Sequence, residues 1–113
     1  MIIICQSTKE LCAKLVRVCT YAIEGKDKFP HTMSFDDGFE SIYQSILYLR
    51  GRSISVALSD ALSDMTIQAK EHFEGGETKL ATWLMQDMEQ LLREKEPFAY
   101  PVELYRWGQF AKS

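Results

Sequence analysis

The sequence predicts an all-α domain, a compact bundle of four main helices followed by a short C-terminal helix. Two observations indicate this class. Apolar residues recur at helical spacing in four segments, and glycine or proline separates each segment from the next. The clearest period runs over residues 53–74, about six turns, and ends at Gly75-Gly76. We expect the other helices to pack along this segment. Its stripe consists of Ile54, Ala57, Leu58, Ala61, Leu62, Met65, Ala69 and Phe73.

The first helix is predicted over about residues 7–24. Ser7 and Glu10 have the spacing of a capping box, in which the serine caps the helix and the glutamate bonds back to the serine N–H. Gly25 ends the segment. Cys12 and Cys19 lie on its apolar side; because no third or fourth ligand is near them, we expect core packing and no metal. The inner stripe is Leu11, Leu15, Val18 and Ala22, with Cys12, Val16, Cys19 and Ile23 alongside.

The second helix is predicted over about residues 35–50, with Ser34 as its N-cap and Gly51 after its end. Tyr48 points away from its stripe, and Gly38 is a mild cost to the helix. The buried side is predicted to hold Phe35, Phe39, Ile42, Tyr43 and Ile46. The third helix covers about residues 53–74. An alternative pairs two short strands, residues 2–4 and 54–56, at the expense of its first turn.

The fourth helix is predicted over about residues 78–95, capped by Thr78 and closed by Pro97. Pro101 then favours a short aromatic-rich helix over about residues 101–110, either folded across the bundle or docked on a partner. The stripe of the fourth helix is Leu80, Leu84, Met88 and Leu91, broadened by Ala81, Met85 and Leu92.

Length and composition indicate one domain over residues 1–113 and a cytoplasmic protein. The 113 residues are 46% apolar, which suits a single core. Three cysteines without CxxC spacing fit a reducing compartment, and no segment is apolar enough to predict a signal peptide or a membrane partner. We therefore expect neither a disulfide scaffold nor membrane association.

The charge distribution is uneven and argues against direct DNA binding. Residues 31–89 hold four basic and ten acidic side chains, a net charge of −6, whereas the whole chain carries −3. The helix–glycine–helix arrangement around Gly51 matches the outline of a helix-turn-helix, but the candidate recognition helix has no Lys or Arg before Lys70. Phosphate backbones require the opposite charge.

No motif predicts an enzyme, a cofactor site or a metal site. The chain has no glycine-rich phosphate loop and no nucleophile elbow, and its two histidines, His31 and His72, lack metal spacing. No catalytic residue is assigned.

Binding to another protein is therefore the first hypothesis, in which the chain occupies a partner's surface as an inhibitor, an immunity-type protein or an assembly adaptor. Trp83 is followed at helical spacing by the polar residues Asp87, Gln90 and Glu94. A tryptophan beside a carboxylate is a suitable anchor for binding another protein. The predicted contacts are Trp83, Asp87, Gln90, Glu94, Tyr105 and Trp107.

Two alternatives accompany this hypothesis, together with an expectation about self-association. The acidic middle segment could mimic nucleic acid and block a basic groove, or a pocket between helices could carry or sense a small molecule. Val56 and Ile67 point away from the main stripe of the third helix, three turns apart. We expect them to be covered, either within the chain or by a second copy in a homodimer.

Overall fold

A computed structural model describes residues 2–94, in which four α-helices hold most of the chain. They are α1 (Thr8–Glu24), α2 (Phe35–Leu49), α3 (Val56–Glu74) and α4 (Thr78–Glu94), and a short 3-10 turn covers Lys26–Lys28. Helix accounts for 76% of the described residues, and no strand is found among them. The all-α prediction and the four main helices are confirmed. The predicted helix over residues 101–110 lies outside the described residues.

The four helices form a closed ring of neighbours. The main contacts join α1 to α2, α2 to α3, α3 to α4, and α4 back to α1. The α2–α3 pair is antiparallel, because Arg50 pairs with Asp60 at one end and Asp36 with Lys70 at the other. The expectation that the other helices pack along α3 is confirmed for α2 and α4, whereas the main contacts of α1 are with α2 and α4. Each helix has two main neighbours and one side that faces outwards.

Serine residues begin the first three helices, as short polar side chains do at N-caps. The Ser7 hydroxyl accepts from the Glu10 N–H at 3.1 Å, and the Ser34 hydroxyl accepts from the Asp37 N–H at 3.1 Å. The Glu10 carboxylate reaches back to the N–H of Gln6, not to that of Ser7. The capping box thus differs by one residue from its predicted form.

The third helix begins three residues later than predicted. Ser55 is its N-cap and accepts from the Leu58 N–H at 3.1 Å. The preceding residues form a turn in which Gly51, at φ +75°, donates its N–H to the Ile54 carbonyl at 2.9 Å. Ile54 is buried within this turn, so its apolar side chain contributes to the core without belonging to the helix. The fourth helix begins one residue earlier than its predicted cap implies, because Thr78 is already helical. The backbone carbonyl of Glu77 accepts the Ala81 N–H.

The N-terminal segment is extended and lies on α2. The Ile3 N–H donates to the Ser41 hydroxyl at 3.0 Å, and the Cys5 N–H donates to the Ser45 hydroxyl at 2.8 Å. Both serines are fully buried. The alternative in which residues 2–4 pair with residues 54–56 is therefore not formed, because side chains of α2 take up the backbone donors.

The core follows the predicted stripes, with a few departures at their edges. Ala57 is exposed, whereas Tyr43 and Phe73 are only half-buried. Val16 and Ile23 of α1 are also exposed. The helix periodicity places these side chains close to the core, but the ring arrangement leaves the outer edge of each stripe uncovered.

An aromatic cluster closes one end of the bundle. Its members contact one another with ring centroids 5.0–6.5 Å apart and come from α1, the 3-10 segment, α2 and α3. They are Tyr21, Phe29, Phe35, Phe39 and Phe73. Gly38 lies beside this cluster, and a Cβ there would make a tight contact of 3.2 Å with a methyl group of the buried Val18. The absence of a side chain lets α1 and α2 pack closely. This packing compensates for the low helix propensity of glycine.

Candidate functional site: the groove between α2 and α3

The predicted partner contacts on α4 share one edge of that helix. Trp83 and Asp87 are one turn apart and half-buried, and Gln90 follows in an exposed position. The Lys79 ammonium lies 4.9 Å from the centroid of the Trp83 ring, a cation–π contact. Glu94 is the last residue of α4. Tyr105 and Trp107 lie outside the described residues, so their part in this surface stays a prediction.

The Asp87 carboxyl group has a raised pKa. Desolvation by burial raises its pKa to about 6, because removal of water disfavours the charged carboxylate. The carboxylate therefore becomes partly protonated at mildly acid pH. Asp87 does not line the groove between α2 and α3.

Val56 and Ile67, which we expected to be covered, are both about half exposed, at 49% and 47%. Burial within the described part of the chain is thus not observed. The ring arrangement explains this, since α3 packs mainly against α2 and α4 and presents its remaining side outwards. Self-association through these residues stays a prediction. Their surroundings differ, because Ile67 lines a groove and Val56 does not.

The groove runs between the outer edges of α2 and α3 and has a volume of about 330 Å³. Its apolar lining comes from Phe39 and Tyr43 of α2 and from Ile67 of α3. Phe39 is buried and belongs to the aromatic cluster, so the floor is fixed by packing. The remaining lining residues are Glu40, Thr66, Lys70, Glu71 and Glu74.

The charged side chains give both rims of the groove an acidic character. Glu40 is on the α2 rim, where it accepts from the Gln44 amide at 2.6 Å. Glu71 and Glu74 are exposed on the α3 rim. Lys70 is the basic lining residue, and its ammonium lies 3.3 Å from the Asp36 carboxylate. Of the three carboxylates in the lining, Glu74 also lies 3.9 Å from the Lys26 ammonium, so the acidic character of the two rims comes from Glu40 and Glu71.

Further apolar side chains continue this face towards the α2–α3 turn. Leu47 and Tyr48 near the end of α2 are exposed, like Val56 at the start of α3. The Arg52 guanidinium lies 4.6 Å from the centroid of the Tyr48 ring. Arg50 and Asp60 join the two helices at this end with a contact of 3.2 Å. The α2–α3 face therefore has an ion pair between the helices near each end.

Sequence reasoning missed most of the groove. It assigned Tyr43 to the buried stripe of α2 and gave no role to Glu40, Glu71 or Glu74. A signal was available, since Tyr43 stands at the edge of its stripe and Ile67 lies off the main stripe of α3. The two could be connected only once α2 and α3 were known to pack side by side.

A second, smaller groove of about 250 Å³ lies between α1 and α4 and includes Cys19. Cys12 and Cys19 are half-buried, whereas Cys5 is fully buried; all three are free thiols. Desolvation raises the pKa of both half-buried thiols. The expectation of core packing thus holds only in part for Cys12 and Cys19. Among residues 2–94, no group of three or more His, Cys, Asp or Glu side chains is arranged to hold a metal ion.

No family model, curated protein or solved structure matches this chain. Within the described range, none of the helices combines the length and apolar character needed to cross a membrane.

Proposed function

We propose that the protein is a protein-interaction module that binds a partner through the α2–α3 groove. The observation that carries this proposal is the position of Ile67, a large apolar side chain left half exposed beside two aromatic side chains and between charged rims. An apolar centre with a polar rim is the usual anatomy of a protein-binding surface. The roles of inhibitor, immunity-type protein and assembly adaptor are all compatible with such a groove.

A nucleic-acid mimic receives less support from the charges. Four carboxylates of the acidic middle segment lie within 4.0 Å of a Lys or Arg side chain. They are Asp36, Asp60, Glu74 and Glu89. Nucleic acid presents an unbroken series of unpaired negative charges, which an alternation of both signs does not reproduce.

A small-molecule carrier also receives less support. Pockets for such ligands cover about 70–90% of the ligand surface. The α2–α3 groove reaches the lower end of the usual volume range, but it is a surface groove with exposed charged rims. It is better suited to the side of a larger partner.

The test is affinity purification from the source cells with three forms of the chain: wild type, Ile67→Asp, and Val16→Asp as a matched control. Val16 is exposed on α1 to the same extent as Ile67 and lies outside the groove. We expect one protein to be recovered with the wild type and with Val16→Asp but not with Ile67→Asp.

The complex is then reconstituted from the two purified proteins and measured by isothermal titration calorimetry. The proposed function would be contradicted if none of the recovered proteins required Ile67 for binding. Equal loss with both variants would also contradict it, since the groove would then have no special part in binding.

A further inference from the structure

We propose that the occupant of the α2–α3 groove is an amphipathic helix of a partner protein, with apolar side chains on one face and Lys or Arg beside them. This inference rests on the proposed function and names the class of partner segment. It is argued from the shape, the backbone and the charges of the groove.

The walls of the groove favour a helix over an extended strand. Both walls are α-helices, in which the backbone N–H and C=O groups of the interior are bonded within the helix. An added strand needs free backbone partners at a sheet edge, and these walls offer none. Two antiparallel helices packed side by side instead leave a furrow of the kind into which the side chains of a third helix pack.

The length of the groove agrees with this. On α3 the lining residues run from Thr66 to Glu74, a separation of just over two turns or about 12 Å along the helix. Two turns of a partner helix would place apolar side chains at i, i+3 or i+4, and i+7 over the floor. The floor formed by Phe39, Tyr43 and Ile67 is apolar and can take such side chains.

The charges of the rims select a basic partner. Glu40 stands on one rim and Glu71 on the other, so a helix in the groove has a carboxylate on each flank, whereas Glu74 pairs with Lys26. Lys70 does not cancel them, because it pairs with Asp36. Lys or Arg beside the apolar face of the partner would complement both rims, and acidic partners would be repelled.

The same charges argue against a second copy of this chain as the occupant. The chain carries a net charge of −3, and residues 31–89 hold its excess of acidic groups. Two copies meeting groove to groove would bring Glu40 and Glu71 of one copy towards the same carboxylates of the other. A partner of opposite charge avoids this repulsion.

Fluorescence anisotropy with a labelled peptide of Leu and Lys, LKKLLKLLKKLLKL, tests the inference on the full chain. The control peptide replaces every Lys by Glu. We expect the Leu/Lys peptide to bind and the Leu/Glu peptide not to bind. Affinity should fall when the salt concentration is raised from about 0.05 M to about 0.5 M, because the rims are exposed to solvent.

Two pairs of variants locate the binding. Ile67→Ser should weaken binding about tenfold, whereas Ile23→Ser, at a similarly exposed isoleucine on α1 outside this groove, should not. Glu40→Lys combined with Glu71→Lys should weaken binding about tenfold or more by reversing one charge on each rim. The control is the double variant Glu24→Lys/Glu10→Gln, which changes two exposed carboxylates of α1 outside the groove. Its affinity for the Leu/Lys peptide should equal that of the wild type. Circular dichroism confirms that each variant is folded.

The possible failures are distinguishable. Equal binding of both peptides, or equal loss with Ile23→Ser and Ile67→Ser, would overturn the inference. If the partner from the affinity purification depends on Ile67 but not on Glu40 and Glu71, the proposed function stands and the basic-helix inference is wrong. If the protein self-associates in light scattering and binding of the Leu/Lys peptide falls as self-association increases, the occupant is a second copy, and the inference is again wrong.

Discussion

At the scale of single residues, the three cysteines differ in a way that their spacing did not indicate. Cys5 is buried in the N-terminal segment, where its N–H donates to the Ser45 hydroxyl of α2. Cys12 and Cys19 are half-buried on α1. The sequence favoured Cys12 and Cys19 as core residues because they lie seven apart on the apolar side. Cys19 lines the groove between α1 and α4, and the Cys12 thiol lies 4.0 Å from the Glu89 carbonyl of α4, contacts that the pattern of one helix cannot reveal.

Thiol labelling tests this difference. We expect Cys12 and Cys19 to react with iodoacetamide in the native protein, more slowly than a free thiol because their raised pKa lowers the thiolate fraction. Cys5 should react only on unfolding. Mass spectrometry of labelled peptides gives the rates, with the urea-unfolded chain as the reference; rapid native labelling of Cys5 would contradict its burial.

Asp87 should make stability depend on pH. Its folded pKa of about 6 lies above the ordinary value of about 3.9, so the folded state binds more protons than the unfolded state between these limits. Stability from this group therefore decreases as pH rises from about 4 to about 6. Because the side chain is half exposed, we expect a change of no more than about 1 kcal/mol after allowance for solvent screening.

Urea denaturation of the wild type and Asp87→Asn over this pH range measures the effect. The difference in unfolding free energy between the two proteins should move in favour of Asp87→Asn as pH rises. A difference that is constant with pH, or that moves in the opposite direction, would show that the pKa of Asp87 is not raised. The comparison removes the contributions of the other carboxyl groups.

At the scale of the helices, the serines decide where each helix starts. Ser55, and not Ser53, caps α3, because Ile54 is needed in the core of the turn. We expect Ser55→Ala to lower the free energy of unfolding by about 1 kcal/mol. Ser53→Ala is the matched control and should change it by less than about 0.5 kcal/mol. Chemical denaturation followed by circular dichroism measures both, and a larger loss at Ser53 would restore the earlier start.

The helices were predictable because their patterns are local. Serine caps, glycine stops and apolar periods fixed α1 and α2 to within one residue at each end. The start of α3 was missed because Ile54 continues the apolar period while its backbone is in a turn. The groove was beyond prediction for a different reason: Tyr43 and Ile67 are 24 positions apart in the chain and meet only through the packing of two helices.

At the scale of the whole molecule, the outward side of α3 presents two large apolar side chains to solvent. Val56 and Ile67 are both half exposed, so the double variant Val56→Asp/Ile67→Asp should fold, with an unfolding free energy within about 1 kcal/mol of the wild type. A loss of several kcal/mol would mean that these side chains are buried in solution.

The same variant addresses the homodimer predicted from the sequence. Light scattering after size exclusion should give the wild type the mass of one chain, 13.0 kDa, since acidic rims repel each other. Twice that mass for the wild type, reduced to one chain in the double variant, would establish the homodimer and contradict the monomer expected from the charges.

The closed ring of helices has a consequence for the order of folding. Three of its four main interfaces join helices that are consecutive in the chain, and these form by closing short loops at small entropic cost. The α1–α4 interface alone among the four joins distant segments, so its contacts should form last, after the transition state. Weakening that interface should therefore accelerate unfolding and leave the folding rate nearly unchanged.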